Sequence, residues 1–376
     1  MLHELPFEQY GQAAPLFAPM DNHLALRSLL EGKTRARLFV DDPARPRLAL
    51  AWLHNQRFFL LGEPGAGQAD VLRTFFYETV LPWGRAEGKE LALIYYAPAA
   101  WEPLLAAALA EQHPLPEARQ YYRFDLAETG GLPEWQDLPP GFTLRPVDAT
   151  LLADPGLSGL DLLREEMCSE RESVEDFLRW SFGLALFHGS NLAGWCLSEY
   201  NADARCEIGI ATLPPHQRRG LATLMTRRLL EMARERGMRS VGWDCLTRNL
   251  PSAATALKAG FRKIEDYSVL LVWYALAEAI AVQGSICLRR GKYDQALDWF
   301  ERAFAVQDEA PRKPAWAYWL AGCAAARLGK SAAALAYLEQ AARAGALDAN
   351  DLATCEHLAS LRGLAEFQEL LGRAEK

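Results

Sequence analysis

The sequence has no long hydrophobic run. The longest apolar stretch, residues 268–277, is much shorter than the roughly 20 residues that a membrane-spanning helix needs. The first residues, from Met1 to Pro6, also lack the basic segment and apolar run of a secretory signal. The sequence therefore predicts a cytoplasmic protein that has no membrane partner.

Paired cysteines and clustered histidines are absent as well. The seven cysteines are odd in number and none forms a Cys-x-x-Cys pair, while the seven histidines are scattered along the chain. This pattern is typical of free thiols in a reducing compartment and gives no sign of a metal cluster. We therefore expect no metal cofactor.

Positive charge is in deficit, because 40 Lys and Arg residues face 48 Asp and Glu residues, for a net charge of −8. An acidic balance argues against a general nucleic-acid binder.

What the chain does have is length and apolar content. With 376 residues, half of them hydrophobic, it exceeds one ordinary core, and we expect two or three soluble domains.

Turn residues and hydrophobic patterning divide the chain into three blocks. The first, 1–126, has predicted strands at 36–40, 47–54, 57–62 and 91–96 and predicted helices at 70–83 and 99–111. A linker rich in Gly and Pro, 127–141, follows. The second block, 142–274, repeats the order strand, strand, strand, helix, strand, helix, which indicates an internal duplication.

The elements predicted in the second block are strands and helices in alternation. The strands are 142–147, 184–187, 192–200, 206–213 and 240–246, with a final strand pair at 261–274. The helices are 157–168, 173–181, 220–236 and 252–259. In the helix at 220–236, Leu221, Leu224, Met225, Leu229 and Met232 form one apolar stripe, which predicts a helix packed on a sheet.

The third block, 275–376, is helical and self-similar. Small residues recur at matching offsets, with Gly284 and Ala296 corresponding to Gly322 and Ala334. This spacing resembles tetratricopeptide (TPR) repeats of two helices each. Two repeats are few, so we expect them to pack on the preceding domain or on a second copy, with 358–370 as a capping segment.

The segment from Glu207 to Thr223 predicts a strand, a tight loop and the start of a helix. The loop reads QRRGLA at 217–222, and Gly220 supplies a bare backbone. Amides at the start of a helix converge on one point, where the helix dipole is positive, so the loop suits a pyrophosphate. Arg218 and Arg219 add positive charge beside it.

This loop resembles the acetyl-CoA pyrophosphate loop of the GNAT acyltransferase superfamily, whose pattern is Gln/Arg-x-x-Gly-x-Gly/Ala. The motifs NLPS at 249–252 and LKAGF at 257–261 follow at the family spacing. The resemblance covers most of the second block. It implies an α/β fold of tandem GNAT-like mixed-sheet domains, the N-terminal one degenerate, followed by an all-α TPR-like tail.

The resemblance also assigns residues to the cofactor. Backbone groups of Ile210, Ala211 and Thr212 would bind the pantetheine arm as an added strand, and Asn249 would contact it. The loop would hold the pyrophosphate, with Thr223 as a further donor; its residues are Gln217, Arg218, Arg219, Gly220, Leu221 and Ala222. Ser252 has two interpretations, as a cofactor contact or as the N-cap of its helix.

Acyl transfer to an amine needs a base, and Glu207 lies on the strand before the loop at a spacing close to that of the family's base. It could instead be a solvated strand residue. Ala256 replaces the tyrosine that often protonates the leaving thiolate, and Tyr200 or Tyr267 could substitute unless they are core residues. We interpret Cys245 as a packing residue, because no histidine adjacent in sequence could activate it.

The segment GEPGAGQ at 62–68 occupies the place of the phosphate loop in the first block. Gln68 and Ala69 replace the Lys and Ser/Thr of a nucleotide P-loop, which excludes that motif. Glu63 and Asp70 flank the segment and would repel pyrophosphate. Our hypothesis is that this half binds no acetyl-CoA and serves as a scaffold or walls the acceptor pocket.

The sequence therefore predicts an N-acetyltransferase that moves acetyl from acetyl-CoA to an amine by direct attack. Two alternatives stay open, a non-catalytic acyl-CoA sensor and an interaction protein whose repeats recruit a partner or a second copy. The acceptor is not specified. Glu165, Glu166 and Glu170 could attract a cationic amine or form a solvated helix face.

Overall fold

The computed structural model of the protein describes residues 1–54, 56–127, 137–307 and 314–374. Within these ranges the strands are, in chain order, β1 (His3–Leu5), β2 (Ala36–Val40), β3 (Leu48–Leu53), β4 (Arg57–Gly62), β5 (Leu91–Ala97), β6 (Leu115–Asp125), β7 (Phe142–Pro146), β8 (Gly183–His188), β9 (Asn191–Ala202), β10 (Arg205–Thr212), β11 (Ser240–Leu246) and β12 (Arg262–Trp273).

The α-helices of the described ranges are α1 (Leu24–Leu30), α2 (Gln68–Phe75), α3 (Leu81–Ala86), α4 (Trp101–Ala108), α5 (Ala149–Leu152), α6 (Leu160–Met167), α7 (Val174–Trp180), α8 (Leu221–Glu235), α9 (Leu250–Lys258), α10 (Leu276–Arg289), α11 (Tyr293–Ala305), α12 (Ala315–Arg327), α13 (Ser331–Arg343), α14 (Ala349–Thr354) and α15 (Ala365–Ala374). A π-helical turn, Phe76–Val80, joins α2 to α3. Short 3₁₀ helices are Phe7–Gln12, Ala14–Met20, Ala110–Gln112, Pro214–His216 and Glu356–Leu361.

The twelve strands form one mixed sheet, and at its centre each half of the chain places its last strand among the strands of the other half. The order is β1-β2-β3-β4-β5-β12-β6-β11-β10-β9-β8-β7. In each half of the chain one strand pair is parallel, β4 with β5 and β10 with β11. The last strand of each half, β6 or β12, lies next to a strand of the other half, so the two halves of the chain share one continuous sheet.

Several elements differ from those predicted. The region 261–274 holds the single strand β12 rather than a strand pair, so that prediction was wrong. Strand β6, helix α1 and the two N-terminal 3₁₀ helices were not predicted. Most of the predicted linker, residues 128–136, lies outside the described residues.

The chain forms two compact units. The first consists of residues 1–66, 93–102 and 116–270. Its core contains the apolar side of α8, where Leu221, Leu224, Met225, Leu229 and Met232 are all buried, as their helical spacing predicts. Burial of one apolar stripe against a sheet fixes the rotation of α8 and hence the position of the loop that precedes it.

The second unit consists of residues 67–92, 103–115 and 271–376. Here α10 pairs with α11 and α12 pairs with α13. A Cβ atom on Gly284 would lie 2.8 Å from Phe300, and one on Gly322 would lie 2.9 Å from Leu338, so the recurring glycines allow the close crossing of each pair. Leu358, Phe367 and Leu370 close this core, as expected of a capping segment.

Helices contributed by the first half pack with the repeats inside this second unit. The Gln112 side chain donates a 2.6 Å hydrogen bond to the carbonyl of Trp273. The His113 ring lies 5.3 Å from that of Trp299, and Gly84 leaves room for the ring of Tyr274.

In the part of the chain that the structure describes, no helix is long and apolar enough to cross a membrane.

Candidate functional site

The loop before α8 has the backbone geometry of an anion site. Gly220 is the N-cap of α8 with φ of +77°, and Arg218 has φ of +61°. The first hydrogen bond of the helix joins the Leu224 amide to the Gly220 carbonyl (3.2 Å), so the earlier amides have no acceptor within the helix. The first turn carries no carboxylate, which leaves the positive end of the helix dipole uncompensated.

The sequence around the loop explains this conformation. The Gln217 side chain donates a hydrogen bond of 2.9 Å to the carbonyl of Thr212, which ties the loop to the end of β10. A Cβ atom on Gly220 would meet nothing within 4 Å, so the glycine is required by its positive φ rather than by crowding. The Arg219 guanidinium lies 5.6 Å from the centre of the Phe142 ring.

Strands β10 and β11 separate just before the loop. Their parallel pairing ends at Ile208 and Trp243, whereas β10 continues along β9 to Thr212. Strand β11 meanwhile follows β6 as far as Leu246. In the described pairings, the β11-facing edge of residues 209–212 therefore has no strand partner, and this edge can accept an extended ligand.

A cavity of about 320 Å³ lies in this gap. Gly209 and Ile210 line one side, and residues 243–246 line the other. Asn249 and Ser252, from the start of α9, line it as well. The structure thus brings together the end of β10, the asparagine motif and Glu207, which the sequence had placed in one site.

Asn249 is the N-cap of α9, because its side chain accepts a hydrogen bond of 3.2 Å from the amide of Ser252. The alternative that Ser252 caps the helix is therefore wrong, since α9 begins earlier, with Pro251 in its first turn. The hydroxyl of Ser252 instead accepts a hydrogen bond of 3.0 Å from the Trp243 indole. Both residues still face the cavity.

Glu207 lines the cavity and is only 7% exposed. Its Oε1 accepts a hydrogen bond of 2.6 Å from the Leu24 amide at the start of α1. Burial raises the pKa of Glu207 to about 8, although the hydrogen bond from Leu24 works in the opposite direction. A carboxyl group with this pKa exchanges its proton near neutral pH, as a general base must.

Glu199 is a second cavity carboxyl that the sequence analysis missed. The pairing of β9 with β10 is irregular between Cys206 and Ile208, so that Glu199 and Tyr200 both lie opposite Glu207. Such a bulge re-aims a side chain. A Cβ atom on Gly209 would overlap Oε1 of Glu199, which shows how closely this carboxyl packs on the β10 backbone.

Two arginines line the cavity, and both are paired with carboxylates. Arg119 donates a hydrogen bond of 2.7 Å from Nε to Asp244, and Arg57 forms an ion pair with buried Glu170. Burial and the carboxylates of Glu170, Glu166 and Asp244 raise the pKa of Glu199, while Arg57 lowers it. Glu165, which the sequence analysis grouped with Glu166, is exposed and does not line the cavity.

The first half of the chain supplies part of the cavity wall, and these residues were not predicted. They are His23, Ala25, Arg57, Phe59 and Arg119. The His23 ring lies edge-on to Tyr267 at 4.9 Å and to Tyr95 at 5.3 Å. Burial lowers the pKa of His23, so the imidazole is neutral at physiological pH.

The residues considered as general acids are already engaged. The Tyr267 hydroxyl donates to Asp244, and the Tyr200 hydroxyl donates to Glu170. Burial raises the pKa of both phenols. Ala256 belongs to α9 and is buried in the core on the inner side of that helix. Cys245 lines the cavity, but burial raises the pKa of its thiol, which disfavours the nucleophilic thiolate.

The corresponding loop of the first half has different chemistry. Helix α2 begins after Gly67, which has φ of +77°, but Asp70 lies in its first turn. A carboxylate at a helix start disfavours a bound anion. Among the described residues, no group of three or more His, Cys, Asp or Glu could hold a metal ion.

Comparison with known proteins matches both parts of the chain. The model of the GNAT acetyltransferase family matches residues 14–270, and a tetratricopeptide repeat model matches residues 276–344. YdfB of Bacillus subtilis, an uncharacterised N-acetyltransferase, is 22% identical over 270 residues, which cover 72% of this chain and 98% of YdfB.

Solved structures share the fold. A GCN5-related N-acetyltransferase-like protein from Streptococcus suis is 23% identical, with a TM-score of 0.52, and the match covers 71% of this chain and 98% of that protein. A Drosophila protein is 14% identical, with a TM-score of 0.51, over 72% of this chain and 98% of its own. At these identities the likeness concerns the fold alone.

Proposed function

Because the chain belongs to the GNAT acetyltransferase family, we propose that it moves an acetyl group from acetyl-CoA to a primary amine by direct attack in a ternary complex. The observation that carries this proposal is the gap between β10 and β11, which leads directly into the helix start at Gly220. An extended arm with a diphosphate at one end fits such an arrangement.

The cofactor residues follow from this geometry. The amides from Arg218 to Thr223 would hold the pyrophosphate, with the guanidinium groups of Arg218 and Arg219 beside them. Backbone groups of residues 210–212 would bind the pantetheine arm along the unpaired edge. Asn249 and Ser252 would contact the arm from the opposite side of the gap. The thioester would then lie in the cavity beside Glu207.

Glu207 would act as the general base. An alkyl amine with a pKa near 10.4 is neutral in fewer than about one molecule in a thousand at pH 7. The neutral nitrogen attacks the thioester carbonyl carbon, its proton passes to the Glu207 carboxylate, and the carbon–sulfur bond breaks. Such help is typically worth about 10²- to 10⁴-fold, and positioning adds roughly 7–11 kcal/mol.

The leaving thiolate would depart without a protein acid. Its conjugate acid has a pKa near 8.5, so it needs protonation less than an alkoxide does, and water can supply the proton. The hydrogen bond from Tyr267 to Asp244 and the core position of Ala256 support this view.

Thiol release from acetyl-CoA with a panel of amines tests the proposal and separates the enzyme from an acyl-CoA sensor. We expect amine-dependent thiol release that Gly220→Glu abolishes, because the new carboxylate would repel the diphosphate. Binding of acetyl-CoA without thiol release would favour the sensor. If calorimetry detects no binding of CoA to the intact protein, both assignments fail.

A further inference from the structure

The cavity next to Glu207 is lined by more carboxyl groups than its own positive residues pair with. Its lining includes the carboxyl groups of Glu166, Glu199, Glu207 and Asp244. Asp244 is paired with Arg119. Among the described residues, none of the other three forms an ion pair. Burial raises the pKa of all three carboxyl groups, so a cation bound beside them would favour their ionised forms.

The arginines do not reverse this balance. Arg57, the other cation of the lining, is paired with Glu170, which is itself only 8% exposed. A paired guanidinium has little attraction left for a ligand anion. An anionic acceptor would therefore meet only paired guanidinium groups in this cavity, whereas a cationic acceptor would meet carboxyl groups that have no cationic partner.

A second observation points to a ligand independently of the carboxylates. His23 is 6% exposed and lines the cavity, and its ring forms no hydrogen bond with another described residue. A buried polar ring is normally hydrogen-bonded, so an unpartnered one facing a cavity calls for a ligand group. Because burial keeps this imidazole neutral, one of its nitrogens can accept a hydrogen bond from an ammonium.

The remaining wall suits a short hydrocarbon chain. Phe59 is buried against Tyr95, with ring centres 4.7 Å apart, and still lines the cavity. Aromatic rings attract cations and pack against methylene groups. The volume of about 320 Å³, part of which the thioester end of the cofactor would occupy, leaves room only for a small acceptor.

We propose that the acceptor is a small amine with a second cationic group, of the diamine or polyamine class, whose non-reacting ammonium is bound by Glu199 and Glu166 with His23. This inference rests on the proposed transferase function and names its substrate class. Glu207 receives the proton of the reacting amine, and the other two carboxyl groups hold the distal charge.

The two halves of the chain contribute different parts of this acceptor site. His23 and Phe59 come from that half, whereas Glu166 and Glu199 come from the second. The first half thus contributes the apolar and neutral side of the acceptor site, and the second half contributes the charge.

Steady-state thiol release with 1,4-diaminobutane and with 1-aminobutane tests this inference, since the two have the same chain length. We expect kcat/KM to be at least about tenfold higher for the diamine, the usual size of a charge-assisted hydrogen bond. Glu166→Gln and Glu199→Gln should each remove most of that preference. Glu165→Gln is the matched control, because Glu165 is exposed on the same helix and should leave both amines unaffected.

Equal kcat/KM for the two amines, or an equal loss for both in Glu166→Gln, overturns the inference while leaving the transferase function intact. If neither amine is acetylated, calorimetry with the CoA-saturated protein compares the binding of the two amines. Binding of 1,4-diaminobutane no tighter than that of 1-aminobutane also overturns the inference about the acceptor class. The transferase proposal itself fails only if acetyl-CoA does not bind or no amine in the wider panel releases thiol.

Discussion

Glu207 is the residue on which the chemistry depends, and its burial gives that chemistry a pH dependence. Its pKa is raised to about 8, chiefly by burial, with further contributions from the charges of Glu199 and Asp244 and an opposing one from Arg57. As a base it must be ionised, so kcat/KM should rise with pH through a break near 8. Glu207→Gln should lower kcat/KM by about 10²- to 10⁴-fold and remove that break.

The control for this prediction is Glu165→Gln, a change of the same type at an exposed position. The full pH profile of kcat/KM, measured for both variants and the unaltered protein, provides the readout. A Glu207→Gln profile that keeps the break near 8 would assign the proton to another group, with Glu199 as the first candidate.

The same carboxyl group affects stability. Its folded pKa lies above the value of about 4.3 expected in the unfolded chain, so between roughly pH 4.5 and 8 the folded state binds more protons. The free energy of unfolding therefore falls as pH rises through this window, by roughly 1.4 kcal/mol for each unit of pKa difference. Glu207→Gln should be more stable than the unaltered protein at pH 9 and equally stable at pH 4.

Urea unfolding at these two pH values measures the difference. The glutamine retains an oxygen that can accept the hydrogen bond from Leu24, so the comparison isolates the charge. Equal stability of the two proteins at pH 9 would mean that Glu207 ionises without cost in the folded state.

Of the cavity residues Glu207, Glu199 and His23, the sequence predicts only the first, and the reason is physical. Glu207 lies on the strand that leads into the loop, so its distance from the loop in the sequence also determines its distance in the structure. Glu199 enters the cavity because β9 bulges opposite Glu207, and a bulge has no reliable sequence signal when no glycine marks it. His23 lies 184 residues from Glu207 in the sequence, so only the fold brings the two together.

At the scale of single elements, α8 offers a matched pair of glycines. Gly220 precedes the helix and Gly237 follows it, with φ values of +77° and +75°, and a Cβ atom would meet nothing within 4 Å at either position. Alanine at either position should therefore cost a similar amount of stability, about 1 kcal/mol. Only Gly220→Ala should also weaken CoA binding, because it alters the backbone beside the diphosphate.

Calorimetry with CoA and thermal unfolding of both variants separate the two effects. We expect an affinity loss of several-fold or more for Gly220→Ala and none for Gly237→Ala. If both variants bind CoA like the unaltered protein, the loop is not the diphosphate site.

The elements that the sequence analysis missed share one property. β6 reads LPEARQYYRFD, without a strict alternation of apolar and polar residues, and α1 has only seven residues. Their structure depends on partners far along the chain, since β6 pairs with β11 and the Leu24 amide bonds Glu207. By contrast, α8 and the repeat helices were predicted correctly, because an apolar stripe or a recurring glycine is a local signal.

At the scale of the whole molecule, the two halves predict a stoichiometry. The second half has an uncompensated helix start at Gly220, whereas the first half has Asp70 in the first turn of α2. We expect one acetyl-CoA per chain. Calorimetric titration of the full chain provides the number, and a value of two would show that the first half also binds the cofactor.

Strands β6 and β12 make the sheet of each half depend on a strand from the other half. In the whole protein β12 lies beside β5, and β6 lies beside β11. Either half expressed alone would have to pair its own last strand there, β6 with β5 or β12 with β11, and the whole protein uses neither pairing. Removing either half would therefore leave unpaired strand edges in the sheet of the other, so the first half has a structural role that does not depend on any ligand of its own.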